Sequence, residues 1–247
     1  MKEEIIKLYK NLGETPLECI ESFRLNHPEY KDTNMTYLGR LDPMAEGLLL
    51  VLAGNTKSKD KFLTLDKTYE FEVLWGFETD TYDVLGLVTK VGEMPIKGFD
   101  KKIPSLLKKI NEKKTQEYPP YSSRTVLGKA LHSWAREGKI SEIEIPTRQI
   151  KIFSIEHFET RLVQQNKILE EILGKVSLVK GDFRQNETIK KWEESIKRDE
   201  QALVSKFKAD VSSGTYIRSL AHEMGEKLGC GALAYSIKRT RVGEYKV

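Results

Sequence analysis

The stretch Tyr37-Leu-Gly39-Arg40-Leu-Asp42-Pro43-Met-Ala-Glu-Gly47-Leu-Leu-Leu50 places one carboxylate between a glycine, a proline and an apolar run. Proline fixes its own φ and biases the residue before it toward extended backbone. Asp42 is therefore expected at the end of an extended segment with little freedom. Residues 47–52 follow as a continuously apolar piece, read as a short strand or the start of a buried helix. An acid in that setting has two readings. It opens a turn, as Asp commonly does, or it is a reacting group mounted on a rigid support.

On the amino-terminal side, residues 3–12 form a short amphipathic stretch, and Thr15-Pro16 reads as a helix entry. On the carboxyl side, residues 55–63 are plausibly helical. In residues 67–77, Tyr69, Phe71, Val73 and Trp75 alternate with Thr68, Glu70, Glu72 and Leu74, the pattern of a strand with one mostly aromatic face. A polar loop closed by Gly86 and a returning strand at 88–91 follow. Helical spacing returns at 102–114, is broken by Tyr118-Pro-Pro-Tyr121, and resumes at 129–137 before Gly138. Residues 148–157 alternate as a strand. Residues 161–203 look like an inserted helical hairpin, with Trp192 as the large aromatic of its second half. Residues 207–211 read as a strand and 215–228 as a helix stopped by Gly229. Spacing alone says mixed α/β.

The chain's 247 residues can bury a sizeable core, and 39% hydrophobic with 32% charged residues is an ordinary balance for a soluble protein. No apolar stretch approaches the roughly 20 residues that span a bilayer. The first residues show no positive head followed by an apolar core, so no secretory signal is read there and a cytoplasmic location is expected. Cys19 and Cys230 have no paired ligand spacing, which argues against a disulfide scaffold or a zinc site. His27, His132, His157 and His222 lack i,i+4 partners, and Ser213-Gly-Thr lacks the lysine of a phosphate loop. Metal chemistry and nucleotide hydrolysis are thus not expected. The net charge is +4, but residues 101–140 carry ten Lys or Arg against three Glu. Such a block suits a phosphate backbone or, equally, a solvated helix face.

Five runs, in order, carry a resemblance. Gly39 to Leu49, Lys67-Thr-Tyr69, Gly76 to Gly86, Pro119-Pro-Tyr-Ser-Ser-Arg124 with Gly128-Lys129, and Gly214-Thr-Tyr216-Ile-Arg218 with Gly229-Cys-Gly231 resemble the motifs of TruB-type pseudouridine synthases. Any one would be weak; five in the family's order, over residues 38–242, are specific. The resemblance implies an α/β (α+β) pseudouridine synthase fold with a mixed, largely antiparallel central sheet and flanking helices. It implies one catalytic domain over 1–247, the 161–203 hairpin inserted in it, and no carboxyl-terminal RNA-binding (PUA) domain. The hairpin is expected to make up the RNA affinity such a domain would give, and the 101–140 region to act as an RNA-gripping arm.

The activity implied is isomerisation of a uridine of tRNA, in the T-loop, to pseudouridine by base flipping. It needs no cofactor and no metal, and a monomer is expected. Asp42 falls on the catalytic aspartate, able to attack the sugar or take a proton from it. Arg218 would pair with and orient it. Tyr69 would stack on the extracted base, and Tyr216 would sit beside the acid. Tyr37, Arg40, Lys57, Lys67, Tyr121, Arg124 and Lys129 are the RNA contacts implied. Tyr37 stands where the family pattern has a histidine. Two other readings are an enzyme acting on ribosomal RNA and a non-catalytic RNA-binding protein or tRNA folding chaperone on the same scaffold. Pro43 and the Gly-Thr-Tyr-Ile-Arg run favour the TruB type over the first, and the presence together of Asp42, Tyr69, Tyr216 and Arg218 argues against the second.

Overall fold

The alternating residues 67–75 become an inner strand of an eight-stranded sheet in the computed structural model, which describes residues 3–94 and 98–247. In chain order the first half contains β1 (Glu4–Lys10), α1 (Pro16–Asn26), β2 (Met35–Tyr37), β3 (Ala45–Ala53), α2 (Lys59–Leu63), β4 (Lys67–Trp75), β5 (Phe77–Thr79), β6 (Val88–Val91) and α3 (Phe99–Asn111). A region of short elements follows: β7 (Thr115–Glu117), β8 (Thr125–Val126), β9 (Lys129–Ala130), α4 (Leu131–Arg136) and β10 (Thr147–Gln149). The chain ends with β11 (Ile152–Gln164), α5 (Gln165–Ser177), α6 (Gln185–Ser195), β12 (Gln201–Val211), α7 (Ile217–Leu228), β13 (Ala232–Val242) and β14 (Tyr245–Lys246).

The sheet runs β1-β3-β13-β4-β12-β11, with β2 added to β3 and β14 to β13. Among the described strands of this sheet only the β3–β13 pairing is parallel, so the sheet is mixed and largely antiparallel, as expected. Side chains alternate across a strand, and the two faces of β4 therefore meet different layers. Tyr69, Phe71, Val73 and Trp75 pack with Phe99, Ile103, Leu106 and Ile110 of α3 and with Ile217, Leu220, Ala221 and Met224 of α7. Leu74 faces the other way, into a second core with Val204, Leu233 and Tyr235, which is covered by Ile168, Leu169, Ile172 and Val176 of α5 and Trp192 of α6. Each such buried apolar side chain contributes about 1.5–3 kcal/mol. The hairpin is thus one of the two layers that close the sheet.

Several expectations shift. The amphipathic stretch at 3–12 contains strand β1, which pairs with β3 from Gly47 to Ala53; the two residues before the stretch lie outside the described residues. Helix forms over only the last five residues of 55–63. The helices of the hairpin occupy 165–177 and 185–195, so the ends of the segment read as 161–203 belong to β11 and β12, which pair from Gln164 opposite Gln201 onward. The basic block at 101–140 does not form one arm. Its first part, α3, is amphipathic and is held to the sheet by four buried apolar residues, leaving Lys101, Lys102, Lys108 and Lys109 on the outer surface.

Candidate active site

Residues 38–44 link β2 to β3, and the Asp42 carbonyl accepts the Ala45 N–H at 3.0 Å in a turn whose second residue is Pro43. Asp42 is therefore a turn acid placed directly ahead of a buried strand. The loop is also held from below. Arg239 of β13, 1% exposed, donates from Nε to Leu48 O (2.8 Å), from Nη2 to Gly39 O (3.2 Å) and from Nη1 to Arg40 O (3.3 Å). β13 can pass this close only because position 47 is glycine. At φ +108°, a Cβ there would lie 2.3 Å from Arg239 O.

Arg218 reaches the same point from the first turn of α7. Its Nε donates to Asp42 Oδ2 at 2.8 Å, its Nη1 to Thr81 O at 2.6 Å and its Nη2 to Tyr121 O at 3.3 Å. The side chain is 4% exposed against 31% for Asp42, so the guanidinium is sealed and the acid is open. Burial works against the charge of Arg218, but Asp42 and Asp83 more than offset it and raise its pKa. Upstream of α7, Gly214 at φ +80° leaves room for the Arg148 guanidinium, which a Cβ would overlap at 1.8 Å. Buried Gln116 clamps the backbone of Tyr216 from both sides, accepting its N–H at 2.8 Å and donating to its carbonyl at 3.1 Å.

Asp83 completes the arrangement. Its Oδ2 lies 3.6 Å from Arg218 Nε, while its Oδ1 accepts the Thr81 hydroxyl (2.6 Å) and the Leu85 N–H (3.0 Å). Burial pushes its pKa up to about 6, against the opposing pull of Arg218 and these hydrogen bonds. One buried guanidinium thus faces two carboxylates. One opens to the cleft and the other is enclosed.

A cavity of about 1220 Å3 lies over Asp42, above the roughly 300–1,000 Å3 of small-molecule sites. It brings together Asp42, Tyr69, Tyr216 and Arg218, with Tyr37, Arg40, Lys67 and Tyr121 also in its lining. Burial and the charge of Asp42 raise the Tyr216 pKa, and its ring meets Tyr118 edge-on at 5.8 Å. Tyr69 is 8% exposed and belongs to the cavity lining. Tyr37 accepts a hydrogen bond from Arg40 at 3.2 Å.

Lys57, Arg124 and Lys129 do not line the cavity. Lys57 and Arg124 are exposed, Arg124 lying over the Tyr118 ring at 5.4 Å, and Lys129 is paired with Glu137 and lies over the Trp134 ring at 4.5 Å. Lys67 does line it, but its ammonium turns inward to Leu63 O, Leu65 O and Ser213 Oγ. Burial, with Arg239 and Arg148 nearby, lowers its pKa to about 8. Two carbonyls and one hydroxyl of the protein take the ammonium's hydrogen bonds. No residue of α3 lines the cavity among the described residues; the basic region contributes Tyr121, Ser122, Ser123, His132 and Arg136.

Asp83, Arg239, Arg148 and Gln116 were not singled out from the sequence. Asp83 had a signal: an acid followed by Val84-Leu85 inside a quoted motif has to be buried or turned outward. Arg239, within Lys238-Arg-Thr-Arg241, had none, since strand period alone does not say which basic residue of such a run goes inside.

The family described as TruB family pseudouridylate synthase (N terminal domain) matches residues 29–183. Thermosipho melanesiensis tRNA pseudouridine synthase B is 30% identical over 98% of this chain, and that of Aquifex aeolicus 29% identical over 96%. The chain spans 64% and 68% of their respective lengths. Among solved structures, the Cbf5-Nop10-Gar1 complex contains a chain that superposes with a TM-score of 0.58 at 21% identity, covering 98% of this chain and 49% of that one. At that identity the likeness concerns the fold. No helix of the described residues is long and apolar enough to cross a membrane.

Proposed function

This chain belongs to the TruB family of pseudouridylate synthases, and we propose on that premise that it isomerises a uridine of tRNA, in the T-loop, to pseudouridine, with Asp42 as the reacting carboxylate. The observation that carries this reading is the half-open Asp42 held through one oxygen by the buried Nε of Arg218 at 2.8 Å. The reaction breaks the bond between uracil and ribose, turns the base over and rejoins it through carbon. Asp42 acts either as nucleophile at the sugar or as the base that removes a proton from it, and the paired oxygen fixes its direction in both cases. Arg218 supplies the counter-charge. Because its guanidinium is anchored by Thr81 O and Tyr121 O, it does not have to reorganise as charge moves on Asp42.

A uridine must leave its stack to reach this depth, at a cost of a few kcal/mol. Tyr69, Tyr216 and Tyr37 offset it by stacking, at about 1–3 kcal/mol per base. Arg40 and Arg148 at the cavity give the flanking phosphates positive partners. A monomer acting in the cytoplasm is part of the same reading. The test is incubation with unmodified tRNA transcript followed by pseudouridine mapping, with a ribosomal RNA fragment alongside. Product at the T-loop uridine with wild type and none with Asp42→Asn is the expected result. Product only on the ribosomal fragment replaces the substrate, and no product with either RNA overturns the reading.

A further inference from the structure

The α5–α6 hairpin reaches past the sheet face it covers. Its connecting loop, residues 178–184, arrives at the cavity, where Asp182, Phe183 and Arg184 are part of the lining. Arg184 adopts φ +61°, a left-handed conformation that a non-glycine residue holds only when its surroundings enforce it. Its Nη1 donates to Asp80 Oδ2 at 2.8 Å, and its guanidinium lies over the Tyr121 ring at 4.6 Å. Arg136 of α4 grips the same loop through the carbonyl and carboxylate of Asp182.

These partners stand next to the atoms that aim Arg218. Thr81, which follows Asp80, supplies the carbonyl for Nη1, and Tyr121 supplies the carbonyl for Nη2. Two more bonds from α6 hold the residues that follow. Trp192 Nε1 donates to Val84 O at 3.0 Å and Thr188 Oγ1 to Leu85 O at 3.0 Å. Segment 80–85 is therefore held at Asp80, Val84 and Leu85 by one helical hairpin, with Arg218 and its enclosed carboxylate Asp83 between the grips.

We propose that the inserted hairpin is a positioning element of the active site, and that Arg184 is the residue that couples it to Arg218, by pinning Asp80 and the Tyr121 ring so that the two carbonyls keep their places. Arg184 spends its guanidinium on protein partners, so its contribution goes to rate and not to RNA affinity. The hairpin's role is accordingly different from the RNA-binding one expected of it.

The kinetic part of the test rests on the function proposed above; amide exchange does not. In Arg184→Gln the single-turnover rate constant on unmodified tRNA transcript should fall about tenfold, with the transcript's dissociation constant moving less than about twofold. Exchange of the amides of residues 80–87 should rise by a similar factor while that of β4 stays unchanged. Arg184→Lys, which keeps a cation for Asp80 and the ring, should recover most of both. A wild-type protein that converts no uridine defeats the function, and the exchange result then decides the latch alone. Unchanged exchange at 80–87 overturns the proposal, and so does a loss confined to RNA affinity, which would make Arg184 a phosphate contact. If Arg184→Gln fails to fold, Asp80→Asn removes the same charge pair from the other side while keeping an acceptor for the Leu87 N–H. It should reproduce the exchange and rate changes, and wild-type values for both would overturn the latch.

Discussion

The two carboxylates around Arg218 sit in loops built differently. The Asp42 loop carries its own turn residues, Pro43 in the turn and Gly39 and Gly47 at positive φ, and one distant side chain, Arg239, holds three of the nearby carbonyls. The Asp83 loop has local bonds from Thr81 and Leu85 but no proline or positive-φ glycine to set its course. Tyr82 holds φ +66° without being a glycine and stacks on His222 of α7 at 3.8 Å, while Asp80, Val84 and Leu85 are gripped by Arg184, Trp192 and Thr188, more than one hundred residues away. A left-handed tyrosine costs on the order of 1–2 kcal/mol, which these contacts must cover. The first loop leaves its acid open to the cavity. The second buries its acid, holds the arginine through Thr81 O, and carries the strained tyrosine.

The comparison breaks most sharply at Asp42. Asp42→Asn keeps the turn and should lower single-turnover rate on tRNA at least about 10^4-fold with melting temperature unchanged; a mild loss would mean that Asp42 is only a turn acid. Next, Arg218→Ala should cost about 10^3-fold in rate, with transcript affinity reduced much less. Equal losses in both would make Arg218 a phosphate ligand and remove the reason for two enclosing loops.

A smaller effect separates the loops by pH. Asp83 titrates near 6 in the fold against 3.8 when free, so its neutral form stabilises the protein fully below about 3.8, and that contribution is lost as pH rises through about 6. Activity should run the other way. Protonation takes one of the two carboxylates from Arg218, so the rate should fall as pH drops through about 6. Asp83→Asn should be slower by roughly 10–100-fold and flat in that window. Its urea midpoint relative to wild type should rise between about pH 4 and pH 7; parallel midpoints would show that Asp83 does not titrate there. The smallest change is Trp192→Phe, which leaves Val84 O unpaired and should lower stability by about 1–3 kcal/mol in urea unfolding while sparing the Asp42 turn.

Legibility followed this division. The helix entry at Thr15 was readable because the capping box is local: Thr15 Oγ1 accepts the Glu18 N–H at 3.2 Å, and Glu18 returns the bond to the Thr15 N–H at 2.7 Å. The aromatic face of β4 was readable from its alternation, and Asp42, Tyr69, Tyr216 and Arg218 from motifs in order. Lys67 was expected to contact RNA, and residue type says nothing about which way an ammonium turns. Its partners, Leu63, Leu65 and Ser213, come from two separate parts of the chain. The hairpin was visible as helical, but its contact with the cavity was not, since Arg184 and Asp80 are 104 positions apart.

By itself, then, the sequence determined the helix entry at Thr15, the alternation of β4, the Pro43 turn that carries Asp42, and the family. Each of these depends on backbone preference or apolar spacing within a few residues. Only the tertiary structure decided which charges meet. Asp42 and Arg218 lie 176 residues apart and are joined because β13 runs parallel beside β3 while α7 leads into it. Whether a charged side chain ends in water, on a phosphate or on a carbonyl is settled by the desolvation of its surroundings, which exist only once the sheet and its two covering layers have closed.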